Sequence, residues 1–144
     1  YRKYNLELVD KEIIYKESDI ITLHVPLTNL THNMISMKEL NTMKKNVCLI
    51  NTSRGRIINE TDLYEYLLIN PFASAALDVF NEEPYKGNLT KLDNCIFTCH
   101  MGSMADDCRI TMEAEAAKEA LRFVNGESLV NLVTEKAKKF KFKK

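Results

Sequence analysis

The chain has 144 residues, enough for one domain with its own core. Lysine plus arginine total 20, as do aspartate plus glutamate, and the zero net charge argues against a dedicated nucleic-acid or membrane-surface binder. No apolar run approaches the roughly 20 residues that cross a bilayer, and the four cysteines (Cys48, Cys95, Cys99, Cys108) contain no CxxC pair and read as reduced thiols of a cytoplasmic protein.

No signal-peptide pattern opens the sequence. Its first residue is Tyr1 rather than methionine, so the expectation is a chain that begins partway into a domain. Residues 1–8 are polar and mixed, without a clear period. Residues 9–17 carry Val9, Ile13 and Ile14 at helical spacing and predict a helix closed by Ser18 and Asp19. Residues 20–25, IITLHV, predict a strand stopped by Pro26, which cannot continue a ladder. Residues 26–32 read as a loop, with Thr31 capping a short turn through Ile35. Ser36 and Glu39 make a capping-box pattern for a helix ending near Met43. Residues 47–50 are apolar and lead into Asn51, Thr52, Ser53, Arg54 and Gly55. They predict a buried strand ending in a tight turn, with Gly55 supplying backbone angles that other residues avoid.

Asn59 reads as the N-cap of a helix over residues 60–68, with Asp62 in its first turn and Asn70-Pro71 as its stop. Residues 73–79, ASAALDV, predict a small-residue strand ending at Asp78, and 80–92 a polar loop. Residues 95–98 predict a fourth strand ending at Cys99-His100, 101–103 a turn, and 106–124 the longest helix, ended by Asn125-Gly126. Residues 129–133 are short and apolar, and 134–144 form a lysine-rich tail that reads as a solvated terminus.

Strands alternating with helices predict an α/β fold with a parallel sheet, and strands this apolar fit a sheet covered on both faces. In such a sheet the carboxyl ends of all strands share one edge. Arg54 follows the second strand, Asp78 ends the third, Glu82 and Glu83 lie just past it before Pro84, and His100 follows the fourth. A guanidinium offers two planar donors to a carboxylate and can polarise the adjacent carbonyl. An imidazole gives or takes a proton near neutral pH, and a carboxylate beside it favours the imidazolium. That set suits interconversion of a 2-oxo acid and a 2-hydroxy acid, and because it contributes no hydride, a nicotinamide must supply one.

Each member also has a plainer reading. Arg54 can pair with a surface acid, His100 can cap the last helix, Asp78 can simply end a strand, and Glu82 and Glu83 can be solvated loop acids. Joint placement is what favours the site. His24, inside an apolar strand, reads as a core histidine, and His32 as a surface one. A zinc site from Cys95, Cys99, His100 and Cys108 has a spacing that matches no common ligand pattern, so no metal is expected.

The segments SDIITLHVPLT (18–28), INTSRGRIIN (50–59), ALDVFNEEP (76–84) and TCHMGS (98–103) together resemble the D-isomer-specific 2-hydroxyacid dehydrogenases, in that family's order and at about its spacing. The resemblance covers roughly residues 1–133 and implies a Rossmann-type domain. By resemblance, Arg54 would hold the substrate carboxylate and carbonyl. Glu83, the acid directly before Pro84, would partner His100, and His100 would be the acid/base. Val25, Pro26 and Thr31 would line the cofactor together with Thr52, Ser53 and Arg54. Asp78 would meet the nicotinamide carboxamide, and His100, Met101, Gly102 and Ser103 would close over the ring. The implied cofactor is NAD, with NADP left open, and the implied partner a small 2-oxo or 2-hydroxy acid. A loose likeness of HMGSMADDCRITMEAEA to phosphoglycerate-dehydrogenase-like members points to a 3-phosphoglycerate-like acid. No nucleic-acid or membrane partner is expected, and the complete protein is expected to be a homodimer.

Two departures stand out. Cys99 replaces the proline that usually precedes the histidine, and no GxGxxG occurs among the four glycines. The expected architecture is therefore the second half of a dinucleotide-binding domain over residues 1–133, lacking the GxGxxG half, followed by the tail 134–144. Such a half should expose a sheet edge and an apolar face, bind NAD poorly and turn over little by itself. A rival expectation is a non-catalytic NAD-sensing or corepressor-like interaction module, against which Arg54, Glu83 and His100 speak together. A third is a nonfunctional remnant, favoured by the missing glycine-rich loop and opposed by the intact strand ends.

Overall fold

The computed structural model describes residues 6–132, so the lysine-rich tail and Val133 lie outside the described residues. Four strands, β1 (Ile20–Leu23), β2 (Cys48–Asn51), β3 (Ser74–Leu77) and β4 (Cys95–Phe97), form one sheet in the order β1-β2-β3-β4. Every pairing is parallel, and Thr22, Ile50, Ala76 and Ile96 stand in one cross-strand row. The helices are α1 (Lys11–Glu17), α2 (Met37–Leu40), α3 (Glu60–Ile69) and α4 (Asp106–Val124), with a 3-10 turn at Asn88–Lys91. The chain divides into two units, one closing at His100 and the other opening at Met101 and containing α4.

Parallel neighbours in sequential order, joined by right-handed crossovers, put every connection on the same face. Burial follows this. Ile21, Leu23, Leu49, Ala75 and Leu77 are buried, whereas Ile20 and Ile96 on the opposite face are 64% and 70% exposed. The strands read as covered on both faces, but among the described residues they are buried on one. Their open side keeps the apolar residues of a sheet built for two layers. The same alternation corrects the reading of His24. It shares the open face with Thr22, two residues back, is exposed, and lies with Nε2 2.9 Å from Thr22 Oγ1. His32 is exposed as well.

α3 forms because its sequence satisfies both ends and one face. Asn59 accepts from the N–H groups of Thr61 and Asp62 at 3.1 and 3.2 Å. Glu60 and Asp62 lie in the first turn, against the positive end of the helix dipole. Leu63, Tyr66 and Leu67 recur at helical spacing and are buried. Tyr66 also donates its hydroxyl to the Lys44 carbonyl at 3.1 Å, and Asn70 closes the helix by donating to the Tyr66 carbonyl at 2.8 Å. Asp62 accepts from the Met37 N–H at 2.8 Å and so ties α2 to α3.

Elsewhere the boundaries differ for local reasons. Glu39 accepts from the Ser36 N–H and hydroxyl at 3.1 and 2.6 Å. α2 nevertheless stops at Leu40 rather than near Met43, because Thr42 and Met43 turn back to the Glu39 and Leu40 carbonyls at 3.0 and 3.1 Å. α1 begins at Lys11 rather than at Val9 and buries Tyr15, while Val9 before it and Ile13 and Ile14 within it are exposed. The loop after β3 is not wholly irregular, since the 3-10 turn buries Leu89. α4 runs over the predicted residues, with Gly126 at φ 71° just beyond its end.

Candidate active site

β2 ends on Asn51, 2% exposed, and this side chain shapes the turn that follows. Its Oδ1 accepts from the Ser53 N–H and hydroxyl at 3.1 and 2.8 Å, and its Nδ2 donates to the Arg54 carbonyl at 2.9 Å. Three bonds from one buried amide fix the backbone that carries the arginine. Sequence reasoning passed over Asn51; the signal was an amide closing an otherwise apolar strand, where a buried polar group needs partners. Arg54 is exposed, with Nη1 donating to the Ser53 carbonyl at 2.6 Å.

Gly55 is required here for space, not for a left-handed backbone. A Cβ at this position would meet the Phe80 carbonyl oxygen at 1.9 Å. The left-handed residue is its neighbour Arg56, at φ 57°. Arg56 donates its N–H to Asn81 Oδ1 at 2.6 Å and accepts from the Asn33 N–H at 2.7 Å. Asn81 in turn donates to Glu60 Oε1 at 2.7 Å. Burial pushes the Glu60 carboxyl above its ordinary range, partly offset by that bond. The arginine turn and the loop after β3 are thereby locked together.

The loop after β3 presents Glu83. It accepts from the Phe80 N–H at 3.1 Å, and its Oε2 lies 2.9 Å from His100 Nδ1. His100 sits just past β4 at φ 53°, a left-handed conformation that histidine adopts more often than most residues. The His100 N–H donates to the Asp78 carbonyl at 2.8 Å, which sets that conformation. Asp78 is buried at the end of β3, and its Oδ1 accepts the Thr98 hydroxyl at 2.5 Å.

The hydrogen bond from His100, supported by the Phe80 N–H, holds the Glu83 carboxyl below its ordinary range. The bond therefore stabilises the fold above the unfolded value near 4.5 and is lost as pH falls through the lower folded value. In carbon-detected NMR, Glu83 should titrate below the other loop glutamates, and His100→Ala should return it toward them. An unmoved Glu83 titration would show that the pair does not form. In β4, burial pushes the Cys95 thiol up to about 11.

Arg54, Glu83 and His100 line one cavity of about 290 Å3, together with Leu27, Gly55, Arg56, Phe80 and Asn81. Glu83 and His100 also face a larger, more apolar cavity of about 590 Å3, whose walls include the packed rings of Phe80, Tyr85 and Phe97. Glu82 does not line the first cavity. Val25 and Pro26 follow β1, and Thr52 and Ser53 follow β2, so they share the carboxyl edge of the sheet with Asp78 and His100. A short turn does start at Thr31, whose carbonyl accepts from the Met34 N–H at 3.2 Å, but its side chain points back along the loop and does not cap it. Its hydroxyl accepts from the Thr28 N–H at 2.7 Å and donates to the Pro26 carbonyl at 2.6 Å, shaping the loop after β1. Met101, Gly102 and Ser103 form a turn that belongs to the second unit.

Residues 1–102 match the model of a family described as D-isomer specific 2-hydroxyacid dehydrogenase, NAD binding domain. The chain is 47% identical over 128 residues to the glyoxylate reductase of Thermococcus litoralis, covering 88% of this chain and 39% of that protein. It is 43% identical over 132 residues to the D-3-phosphoglycerate dehydrogenase of Methanocaldococcus jannaschii, covering 88% of this chain and 25% of that one. Among solved structures, it superposes on D-lactate dehydrogenase from Escherichia coli with a TM-score of 0.81 at 27% identity, over 90% of this chain and 41% of the other. The D-lactate dehydrogenase from Lactobacillus jensenii, solved with NAD+, gives a TM-score of 0.76 at 29% identity, over 88% and 43%. The chain thus spans about a quarter to two fifths of the curated relatives it matches.

Proposed function

Because the chain belongs to the D-isomer-specific 2-hydroxyacid dehydrogenase family, through its NAD-binding domain, we propose that it is the second half of that domain in an NAD-dependent oxidoreductase acting on small D-2-hydroxy acids and their 2-oxo partners. The observation that carries this reading is the shared cavity of Arg54 and the His100–Glu83 pair. Arg54 clamps the substrate carboxylate and draws on the neighbouring carbonyl. Glu83 fixes the ring of His100 by taking its Nδ1–H, which leaves Nε2 to serve the substrate. In the reducing direction Nε2 delivers a proton to the C2 oxygen; in the oxidising direction it removes one. A bound nicotinamide supplies the hydride exchanged at C2.

The residues present suit the nicotinamide end of the cofactor. The buried Asp78 carboxylate offers an acceptor for a carboxamide N–H, and the Thr98 hydroxyl holds it in place. They do not suit the pyrophosphate, which in this fold class rests on a glycine-rich turn and a helix N-terminus. No GxGxxG occurs in the sequence. The isolated chain should therefore bind NADH more weakly than micromolar and turn over little. Calorimetric titration with NADH tests this, and a micromolar dissociation constant would contradict it.

The activities these two relatives are named for, glyoxylate reduction and D-3-phosphoglycerate dehydrogenation, bracket the substrates we propose. The four free thiols fit a reducing, cytoplasmic compartment. Among the described residues no helix is long and apolar enough to cross a membrane. In the complete protein we place this half within a homodimer.

A further inference from the structure

The first cavity carries more positive charge than one carboxylate consumes. Arg54 and Arg56 both line it, and neither has an ion-pair partner among the described residues. Glu83 is already engaged by His100 at 2.9 Å, so its carboxylate is taken up by the imidazole ring rather than by a guanidinium. A substrate held through its carboxylate by Arg54 leaves the Arg56 charge uncompensated beside it.

Arg56 also occupies its place at a conformational cost. At φ 57° it adopts a backbone that non-glycine residues rarely take and glycine takes freely. Bonds to Asn81 and from Asn33, at 2.6 and 2.7 Å, hold it there. Strain retained beside a site points to a use for the side chain.

We propose that Arg56 determines specificity by taking a second anionic group, a carboxylate or a phosphate ester on C3 of the acid whose own carboxylate Arg54 holds. This rests on the dehydrogenase reading of the cavity and narrows it to dianionic substrates. One added charge-assisted contact should raise affinity about tenfold or more.

Three acids that differ only at C3 test it: D-glycerate with a hydroxyl, D-malate with a carboxylate, and D-3-phosphoglycerate with a phosphate ester. Each is titrated into the 144-residue chain while NMR follows the amides of Gly55 and Ile57. At least one dianion should bind about tenfold or more tighter than glycerate, and the better of the two identifies the group. Arg56→Gly should abolish the preference, leave glycerate binding intact and raise the thermal midpoint, because glycine accepts the left-handed backbone. Arg56→Lys should keep part of the preference. Equal affinities for all three acids, or a preference that survives Arg56→Gly, would overturn the proposal. Failure of the underlying reading looks different: no acid perturbs the amides, or glycerate binding is indifferent to Arg54→Ala.

Discussion

Arg54→Ala, in a chain that also carries a pyrophosphate-binding half, is expected to lower kcat/KM for the 2-oxo acid by roughly a hundred- to ten-thousand-fold. The estimate follows from two charge-assisted bonds to one carboxylate, each contributing about 1.5–3 kcal/mol where water is excluded. The loss should fall on both parameters, since in the proposed mechanism the same guanidinium binds the ground state and polarises the carbonyl as charge develops on its oxygen. Arg54→Lys keeps the charge but not the planar fork, and should recover only part of the rate. Stability should hardly change. Arg54 is exposed, and among the described residues its side chain bonds only to the neighbouring Ser53 carbonyl. The turn is built instead by Asn51, whose bonds reach the Ser53 N–H and hydroxyl and the Arg54 carbonyl. Steady-state rates and a thermal melt therefore separate a chemical role from a structural one. Near-normal rates for Arg54→Ala would refute the assignment.

That the polar strand ends share an edge could be read directly from the sequence. Four short, mostly apolar runs each end in a turn, three of them at or beside a polar residue (Asn51, Asp78 and His100), and a parallel sheet gathers such ends. Asn59 as a cap and Asn125-Gly126 as a stop were equally readable, because caps act within a few residues. What was hidden depends on residues far apart in the chain. Nothing near Gly55 reveals that the Phe80 carbonyl lies against it. Nothing near Arg56 reveals the Asn33 and Asn81 bonds that force it left-handed. His24 looked like a core residue because the other residues of IITLHV are apolar apart from Thr22. Only the placement of the crossovers decides which face of such a strand is covered.

The largest stability effect should come from Gly55→Ala, with a loss of about 3–5 kcal/mol or failure to fold. A Cβ there would stand 1.9 Å from the Phe80 oxygen, 2.2 Å from its carbonyl carbon and 2.9 Å from the Asn81 nitrogen, all of them main chain. None of these can swing aside as a side chain could. The Phe80 ring is stacked on Tyr85 with centroids 4.4 Å apart, and the Phe80 N–H is bound to Glu83. Asn81 is held by Glu60 on one side and Arg56 on the other. Relief requires the arginine turn and the glutamate loop to part by more than about 1 Å, and a shift of that size alone can cost about a hundredfold in rate. The fraction that still folds should therefore be impaired as well, with Arg54 drawn away from the His100–Glu83 pair. Gly102→Ala is the control, since a Cβ there meets nothing within 4 Å and should leave the urea midpoint in place. If Gly55→Ala unfolds at the parent's midpoint, the close approach of the two loops is wrong, and the shared cavity that depends on it goes with it.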